Sequence, residues 1–301
     1  MELNFKKLEA AALPEIMPHF KYRKNRTCDS VFPGIFLWKD YYHVRYALDE
    51  DFNLYWRLTV DGVEYAALPT CAEEDLPFCF QHLKEYFNLV LKKKLLIFLA
   101  DEEAVTLLSL SEEEWLTEEL EDARDYLYDA DALKTLSGRK LHKKKNLVNS
   151  FLRSYEGHYE YRRLLCDWET PIWDFLVRWR EKRGEQVEEQ LAHEVEGIHE
   201  ILKNCGLLHI TMGGILIDGK LEAFSIGSYN PLEKMAVIHI EKANPEIKGL
   251  YQFINQQFLI HEFPEAVLVN REDDLGNEGL RQAKMSYCPV GFARKYRIRQ
   301  K

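Results

Sequence analysis

Polar and charged side chains are concentrated in VNREDDLGNEGLRQAKMSY, residues 269–287. They start where an apolar strand is expected to end and a helix to begin, a common place for ligand-binding groups in α/β folds. The side chains at this junction are those of Asn270, Arg271, Glu272, Asp273 and Asp274. Asp273 or Asp274 could recognise an amino group of a substrate or cap the helix.

Cationic side chains in the same stretch could bind a carboxylate or a phosphate, namely Arg271, Arg281 and Lys284. On a preceding strand, His239 and Glu241 alternate with apolar residues, so we expect them to share one face of the sheet. Either could act as a general base. A histidine whose nitrogens are satisfied within the sheet is the alternative for His239.

A basic segment lies near the middle of the chain. Its cations are Arg139, Lys140, Lys143, Lys144, Lys145 and Arg153, and no acid occurs between residues 132 and 155. Ser137 can cap a helix that buries its apolar side and gathers the cations on the other. Such a surface could neutralise phosphates of tRNA or of a nucleotide. A solvated helix paired with the neighbouring acidic segment is the alternative.

The acidity of the sequence is local. The 301 residues include 50 acids and 40 bases, but 13 of the acids lie in residues 101–131 with a single base, Arg124. The length predicts two domains, and the hydrophobic content of 46% predicts a globular protein. Six scattered cysteines without a C-x-x-C pair indicate separate, reduced thiols. The absence of a long apolar run favours a cytoplasmic protein without a membrane span.

Two hairpin signals organise the elements. Asp61-Gly62 and Asp218-Gly219 each separate two β-prone runs. A helix and an apolar strand then follow in each half, over residues 76–91 and 95–100 and again over 250–261 and 266–270. This repeated order predicts a duplicated mixed α/β unit.

Further helices have clear boundaries. Thr170 can cap a helix with Pro171 in its first turn and Gly184 at its end, and an apolar stripe from Leu191 to Leu202 predicts the next helix. Two strands, LLHITMG and KMAVIHIEKA, lie later in this half, and a final strand is expected over GFARKYRI. The helix in residues 274–287 can begin at Asp274 or Asn277, and its apolar face would carry Leu280, Ala283 and Tyr287.

The spacing A-x-x-x-Y-x-x-x-G-F, from Ala283 through Tyr287 to Gly291 and Phe292, resembles the end of the GNAT acyltransferase fold. The resemblance implies that Tyr287 is a general acid that protonates the leaving group. It also implies that the loop NPEIKGLYQ, residues 244–252, binds the donor's pyrophosphate. The residues concerned would be Lys248, Gly249, Leu250 and Tyr251. The loop has one glycine of the usual Gly-x-Gly/Ala run, so an ordinary strand-to-helix turn is the alternative.

A narrower resemblance covers the entire chain. The sequence resembles the C-terminal domain of phosphatidylglycerol lysyltransferases and their uncharacterised relatives. The pattern that carries this resemblance consists of Tyr126, Tyr128, residues 136–138 (Leu-Ser-Gly), Lys140, Lys144, Asn146 and Phe151. Those membrane-bound enzymes move lysine from lysyl-tRNA to a lipid. This sequence lacks their membrane region, so the lipid acceptor does not carry over.

These observations predict an α+β (mixed α/β) fold of two tandem GNAT-like domains. Residues 1–120 would form a non-catalytic scaffold, and residues 121–301 would carry the active site in a cleft between the domains. The predicted activity is transfer of an acyl or aminoacyl group to an amine or hydroxyl of a small molecule or peptide. A catalytically silent ligand-binding or scaffold protein is the alternative.

The donor would be aminoacyl-tRNA, bound by residues 139–145, or acyl-coenzyme A. No metal and no DNA partner are expected. No G-x-S-x-G, P-loop, H-E-x-x-H or dinucleotide fingerprint occurs in the sequence. No motif therefore indicates a hydrolase, an NTPase, a metalloprotease or a Rossmann-fold enzyme.

Overall fold

The computed structural model of the chain describes residues 3–183 and 189–301. The helices, in chain order, are α1 (Leu13–Ile16), α2 (Phe32–Leu37), α3 (Leu76–Glu85), α4 (Glu102–Leu108), α5 (Ala130–Thr135), α6 (His142–Ser154), α7 (Glu169–Arg183), α8 (Glu189–Lys203), α9 (Leu250–Glu262) and α10 (Glu278–Met285). The strands are β1 (Lys6–Lys7), β2 (Arg45–Leu48), β3 (Leu54–Val60), β4 (Val63–Thr70), β5 (Leu96–Asp101), β6 (Trp115–Glu119), β7 (Asp125–Asp129), β8 (Tyr159–Leu164), β9 (Thr211–Ile217), β10 (Lys220–Asn230), β11 (Met235–Ala243), β12 (Leu268–Asn270), β13 (Gly291–Ala293) and β14 (Lys295–Gln300).

The strands form two seven-stranded sheets. The first has the order β1-β2-β3-β4-β5-β14-β6, and the second has the order β13-β7-β12-β11-β10-β9-β8. The prediction of one strand over GFARKYRI is wrong, because the chain passes from one sheet to the other at Arg294. β13 pairs with β7 in the second sheet, whereas β14 lies between β5 and β6 in the first. The division of the chain at residue 120 stays a prediction.

Both predicted hairpins are confirmed. Asp61 and Gly62 connect β3 to β4 with φ values of 50° and 75°, and Asp218 and Gly219 connect β9 to β10 with φ values of 49° and 81°. Two successive positive φ angles match the twist of the paired strands, which is why Asp-Gly is favoured there.

In each sheet, a helix then connects two parallel strands. α3 leads from β4 to β5, and α9 leads from β11 to β12. The helix predicted over residues 76–91 is α3 followed by a π-helical turn, Tyr86–Val90. The common order of antiparallel strands, helix and parallel strand confirms the predicted mixed α/β class.

A large apolar core is shared by the two sheets. It joins Trp56 of β3, Phe224 of β10 and Phe36 of α2 with residues of α7 and α8. α2 and α8 are so close that a Cβ on Gly197 would lie 2.2 Å from the carbonyl oxygen of Leu37. A second core, under α6 and α9, covers the other face of the second sheet. The two sheets are therefore held together by a continuous apolar contact.

The predicted apolar stripes of α7 and α8 are confirmed, but the predicted N-cap of α7 is wrong. Phe175 and Trp179 of α7 and Ile198 of α8 are buried. α7 begins at Glu169, directly after a 3₁₀ turn, so Thr170 lies inside the helix. Gly184, the predicted end of α7, lies outside the described residues. None of the helices in the described ranges has the length and apolar character to cross a bilayer.

The expectation that all cysteines are separate thiols is wrong for two of them. Cys166, just before α7, and Cys205, just after α8, form a disulfide with a Cα–Cα distance of 5.8 Å. The packing of α7 against α8 brings the two positions together across 39 residues. A pairing set by helix packing leaves no spacing signature in the sequence.

A buried ion pair joins the sheets where the chain crosses between them. Lys295 Nζ on β14 donates to Asp125 Oδ1 on β7 at 2.7 Å, and neither side chain is more than 1% exposed. Asp125 Oδ2 accepts from Asn270 Nδ2 at 3.0 Å and from the backbone N–H of Cys28. Burial lowers the pKa of Lys295, but the Asp125 carboxylate raises it, and the result is a pKa well above the ordinary value. Lys295 therefore remains charged in the interior.

Replacing Lys295 with methionine leaves Asp125 charged and unpaired in the interior, and we expect the free energy of unfolding to fall by about 3–5 kcal/mol. The matched control is Arg299→Met on the same strand. Arg299 pairs with Glu118 at 2.8 Å, but both side chains are 42% exposed, so this loss should be below about 1 kcal/mol. Urea denaturation measures both, and equally small losses would contradict a central role for the buried pair.

Candidate active site

Five polar residues, each from a different segment of the second sheet or its helices, meet beside the end of β12, and we call them the Arg271 cluster. They are Ser225 on β10, Glu241 on β11, Asn255 on α9, Arg271 after β12 and Tyr287 after α10. Arg271 Nη2 donates to Glu241 Oε1 at 3.0 Å, and Asn255 Nδ2 donates to Glu241 Oε2 at 2.8 Å. The Arg271 guanidinium lies over the ring of Tyr287, 4.7 Å from its centre. Burial lowers the pKa of Arg271, but Glu241 raises it, and the net shift is upward.

Three polar atoms of the Arg271 cluster are buried without a hydrogen-bond partner among the described residues. They are Arg271 Nη1, Asn255 Oδ1 and Ser225 Oγ. Ser225 lies directly opposite Glu241 in the register of β10 and β11. A buried polar group left unpaired costs about 1–3 kcal/mol, and such groups are rare in folded proteins. Three in one cluster indicate a place where the polar groups of a ligand can pair.

Tyr287 is buried in this cluster, with 6% of its surface exposed. Burial raises the pKa of its phenol to about 12, although the neighbouring Arg271 opposes this shift. Lys144 of α6 places its Nζ 4.2 Å from the centre of the same ring. Burial and Arg271 both lower the pKa of Lys144. Tyr287 therefore keeps its proton at neutral pH, as a general acid must, and its catalytic role stays a prediction.

The prediction that His239 and Glu241 share a face is wrong. Ile240 pairs with Ile226 and Ile238 pairs with Gly227, so His239 is the extra residue of a β-bulge. The bulge breaks the alternation of side chains, which is why Ile238 and Ile240 enter different cores.

Both ring nitrogens of His239 have partners. Nδ1 forms a hydrogen bond with Glu272 Oε1 at 2.8 Å, and Nε2 forms one with Ser228 Oγ at 3.0 Å. The ring is fully buried. The structure thus matches the alternative of a satisfied sheet histidine, and Glu241 alone of the two lies in the Arg271 cluster.

Lys284 of α10 holds the loop after β12 in place. Its Nζ donates to the carbonyl oxygens of Arg271 at 2.6 Å, of Glu272 at 3.2 Å and of Asp273. An ammonium has three N–H groups, so this arrangement occupies all of them. Burial lowers the pKa of Lys284, and the side chain has no N–H left for a substrate anion. The predicted anion-binding role of Lys284 therefore disagrees with the geometry.

Asp274 and Arg281 are also engaged with the protein. Asp274 Oδ2 accepts from the hydroxyl of Tyr126 at 2.6 Å and from Arg281 Nε at 2.8 Å, and Arg281 Nη2 donates to Asp122 at 2.8 Å. Burial opposes the shift, but the hydrogen bonds from Arg281 and Tyr126 lower the pKa of Asp274. These bonds tie the loop to β7 and to the acidic segment.

The cap of α10 is Asn277, whose Oδ1 accepts from the backbone N–H of Leu280 at 3.0 Å. Of the two predicted starts, Asn277 is right, and capping by Asp273 or Asp274 is wrong. The predicted apolar face is wrong as well, since Leu280 and Ala283 are exposed while Lys284 is the buried residue of α10.

Asn270 and Asp273 differ in burial and in the number of hydrogen bonds that their side chains form with the protein. Asn270 is fully buried and donates to Asp125 Oδ2 and to the carbonyl oxygen of Arg26. Asp273 is partly exposed and forms no ion pair within residues 3–183 and 189–301, although Leu275 donates its backbone N–H to Oδ1 at 3.0 Å. Burial raises the pKa of Asp273 to about 6. Among the predicted acceptor residues, Arg271 and Asp273 thus keep atoms free for a ligand.

The loop predicted to bind pyrophosphate packs against α6. Gly249 has a φ of 86°, and a Cβ there would lie 2.2 Å from the carbonyl oxygen of Leu147. Leu250 is fully buried, Tyr251 accepts a hydrogen bond from Trp179 Nε1 at 3.2 Å, and Lys248 is exposed. Gly249 is thus required by the close approach of α6, which covers the start of α9.

The basic segment forms an exposed surface, which we call the basic patch: Arg139, Lys140, Lys143 and Lys145. In the part of the chain that the structure describes, none of these cations forms an ion pair with the acidic segment, residues 101–131. Acids of that segment pair with other bases, Glu118 with Arg299 and Asp122 with Arg281. Lys144 leaves this surface and reaches Tyr287.

The predicted cap of the basic helix is wrong. α6 begins at His142 with Leu141 at its N-cap, while the Ser137 hydroxyl contacts Thr135. Arg139 and Lys140 therefore lie in the turn before α6.

Sequence reasoning missed Ser225 and Asn255. Each is a polar residue at a buried position next to buried apolar residues, Ser225 between Phe224 and Ile226 in β10 and Asn255 after Ile254 in α9. A polar residue inside an apolar stripe was the signal that could have identified them. No group of three His, Cys, Asp or Glu residues in the described ranges is placed to hold a metal ion.

Comparison with known proteins identifies related chains over the whole length. The family described as "Phosphatidylglycerol lysyltransferase, C-terminal" matches residues 20–299. A crystal structure of a conserved protein of unknown function from Bacteroides thetaiotaomicron is 28% identical, with a TM-score of 0.89 and full coverage of both chains. The C-terminal domain of a putative lysylphosphatidylglycerol synthetase from Agrobacterium fabrum is 15% identical, with a TM-score of 0.70, and the match covers 97% of this chain and 92% of that one.

An uncharacterised protein of Mycoplasmoides gallisepticum is 26% identical over 185 residues, which cover 60% of this chain and 57% of that protein. The structure confirms the predicted arrangement of two units, each a mixed sheet flanked by helices.

Replacing Gly249 with alanine should destabilise the protein for two reasons, its positive φ and the contact with Leu147. Gly62→Ala is the matched control, since Gly62 has a φ of 75° and no atom within 4 Å of the added Cβ. We expect Gly62→Ala to cost about 1–2 kcal/mol and Gly249→Ala about 2 kcal/mol more. Urea denaturation measures the free energy of unfolding of both variants. Equal losses would show that α6 leaves room for a Cβ at position 249.

Proposed function

The chain belongs to the family of the phosphatidylglycerol lysyltransferase C-terminal domain, and from this membership we propose that it transfers an aminoacyl group from aminoacyl-tRNA to an amine or hydroxyl. The family is described by the name of a lysyltransferase, and one similar structure is that of a putative lysylphosphatidylglycerol synthetase. The acceptor in this proposal is a small molecule or a peptide.

The observation that carries the proposal is the position of Tyr287. Its ring contacts two cations, with Lys144 Nζ at 4.2 Å and Arg271 Cζ at 4.7 Å from the ring centre. Lys144 belongs to α6, and the basic patch lies on the first turn of this helix and on the turn before it. A tRNA whose phosphates contact the patch would therefore bring its esterified end toward Tyr287 and the unpaired atoms of the Arg271 cluster.

In the proposed reaction, the acceptor attacks the ester carbonyl carbon of the aminoacyl-tRNA. The carbonyl oxygen becomes negative, and Arg271 Nη1 is a charged donor that can stabilise it. The bond between that carbon and the ribose oxygen then breaks, and Tyr287 gives its proton to the ribose oxygen. The proton of the attacking group leaves to solvent, and solvent reprotonates Tyr287.

Acyl-coenzyme A is the other donor that the fold suggests. The packing of α6 against Gly249 favours tRNA over this donor, because the backbone at the start of α9 is where a pyrophosphate would have to bind. Calorimetric titration with coenzyme A separates the two donors: the tRNA proposal expects no saturable heat.

The variant Tyr287→Phe removes the proposed acid and keeps the ring that contacts Lys144 and Arg271. We expect the rate of aminoacyl transfer to fall by about 10²–10⁴, with little change in tRNA affinity. Tyr161→Phe is the matched control, because it removes a hydroxyl that binds Glu262 outside the cluster. Loss of label from charged tRNA, in the presence of a pool of amines and alcohols, measures the rate. A Tyr287→Phe protein of full activity would exclude Tyr287 as the acid.

Binding of tRNA through the basic patch predicts a change in salt dependence. Replacing Arg139, Lys140 and Lys143 with alanine, while keeping Lys144, should weaken tRNA binding. The negative slope of log K against log salt should become less steep by about two. The control replaces three exposed lysines elsewhere: Lys6, Lys24 and Lys234. Filter binding at several salt concentrations measures the slopes, and an unchanged slope in the patch variant would exclude this surface.

A further inference from the structure

We propose that the first sheet carries a second binding site, for a phosphate group, separate from the Arg271 cluster. A cavity of about 250 Å³ opens on this sheet. Its lining consists of His43, Arg45, Arg57, Leu58, Thr59 and Glu64. We call it the Arg45 cavity.

The charges around the Arg45 cavity favour an anion. Arg45 on β2 and Arg57 on β3 are directly opposite in the register, so their side chains extend from the same face of the sheet. Glu64 is the acid in the lining, and it is already paired with Arg57 and with Lys93. Arg45 is exposed and forms no ion pair with any residue that the structure describes. One carboxylate thus faces two guanidinium groups and an ammonium.

Arg57 is held in place before any ligand binds. Its Nη1 donates to the hydroxyl of Tyr86 at 3.0 Å, its Nη2 bonds to Glu64, and its guanidinium lies 5.1 Å from the ring centre of Phe5. Its Nε is buried without a hydrogen-bond partner among the described residues. A fixed, planar guanidinium with an unused N–H suits the oxygens of a phosphate. Arg45 and the hydroxyl of Thr59 can complete the contact.

The surface beside the cavity indicates which molecules could present this phosphate. The π-helical turn that supplies Tyr86 ends in Leu89 and Val90, which are 65% and 57% exposed. Three exposed lysines follow at once: Lys92, Lys93 and Lys94. A phosphate ester on a small molecule needs the cavity alone. A phospholipid head group would in addition use the apolar tip and the lysines, which suit a negatively charged lipid surface.

The test compares wild type with Arg45→Ala, which removes an exposed side chain without an ion pair and should leave thermal unfolding unchanged. Arg180→Ala, an exposed arginine on α7, is the control for charge. The probes are glycerol 3-phosphate in calorimetry and phosphatidylcholine vesicles with and without phosphatidic acid in sedimentation. We expect Arg45→Ala to weaken binding of at least one phosphate probe about tenfold, and Arg180→Ala to have no such effect.

A Leu89→Ser/Val90→Ser variant distinguishes the two sources. It should lose binding to phosphatidic acid vesicles if the phosphate belongs to a lipid, and it should bind glycerol 3-phosphate like wild type if the ligand is a small ester. The site is excluded if neither probe binds, or if Arg45→Ala binds both as well as wild type does. Aminoacyl transfer by Arg45→Ala should be unchanged, so this result is independent of the proposed activity.

Discussion

The buried pair of Lys295 and Asp125 is the interaction on which the arrangement of the two sheets depends. It lies at the crossing from β13 to β14, and the same aspartate also holds Asn270 at the end of β12 and the backbone of Cys28. The loop that carries Arg271 starts directly after Asn270. The position of the candidate site is therefore set by a charge pair that lies between the sheets.

Most charged residues near the candidate site build its frame. Lys284 gathers three carbonyl oxygens, and Arg281 binds Asp274, so the loop after β12 is fixed from both sides. Such rigid support is what places a functional group to within the tolerance that catalysis needs. Arg271 differs from these two cations, because one of its N–H groups is unpaired and lies beside Tyr287. Lys284 and Arg281 therefore hold the loop in place, and Arg271 is the cation that can bind a ligand.

Features determined by neighbouring residues could be predicted from the sequence, and features determined by distant contacts could not. Asp-Gly turns and the helices between parallel strands follow local rules, and they were found correctly. The bulge at His239, the Cys166–Cys205 disulfide and the exchange of sheets at Arg294 depend on what packs against each segment. The alternation of polar and apolar residues around His239 even favoured the wrong face, because a single extra residue reverses it.

The place of β14 has a consequence for how the chain reaches its native state during synthesis. β14 separates β5 from β6, and Ile298 opposes Ile97 of β5. On the ribosome, the first sheet must wait with an open gap and exposed strand edges until almost the whole of the second unit has emerged. Open edges of this kind are prone to incorrect pairing. The two units are therefore expected to mature together, and a fragment that ends before β14 should be a target for chaperones or proteases.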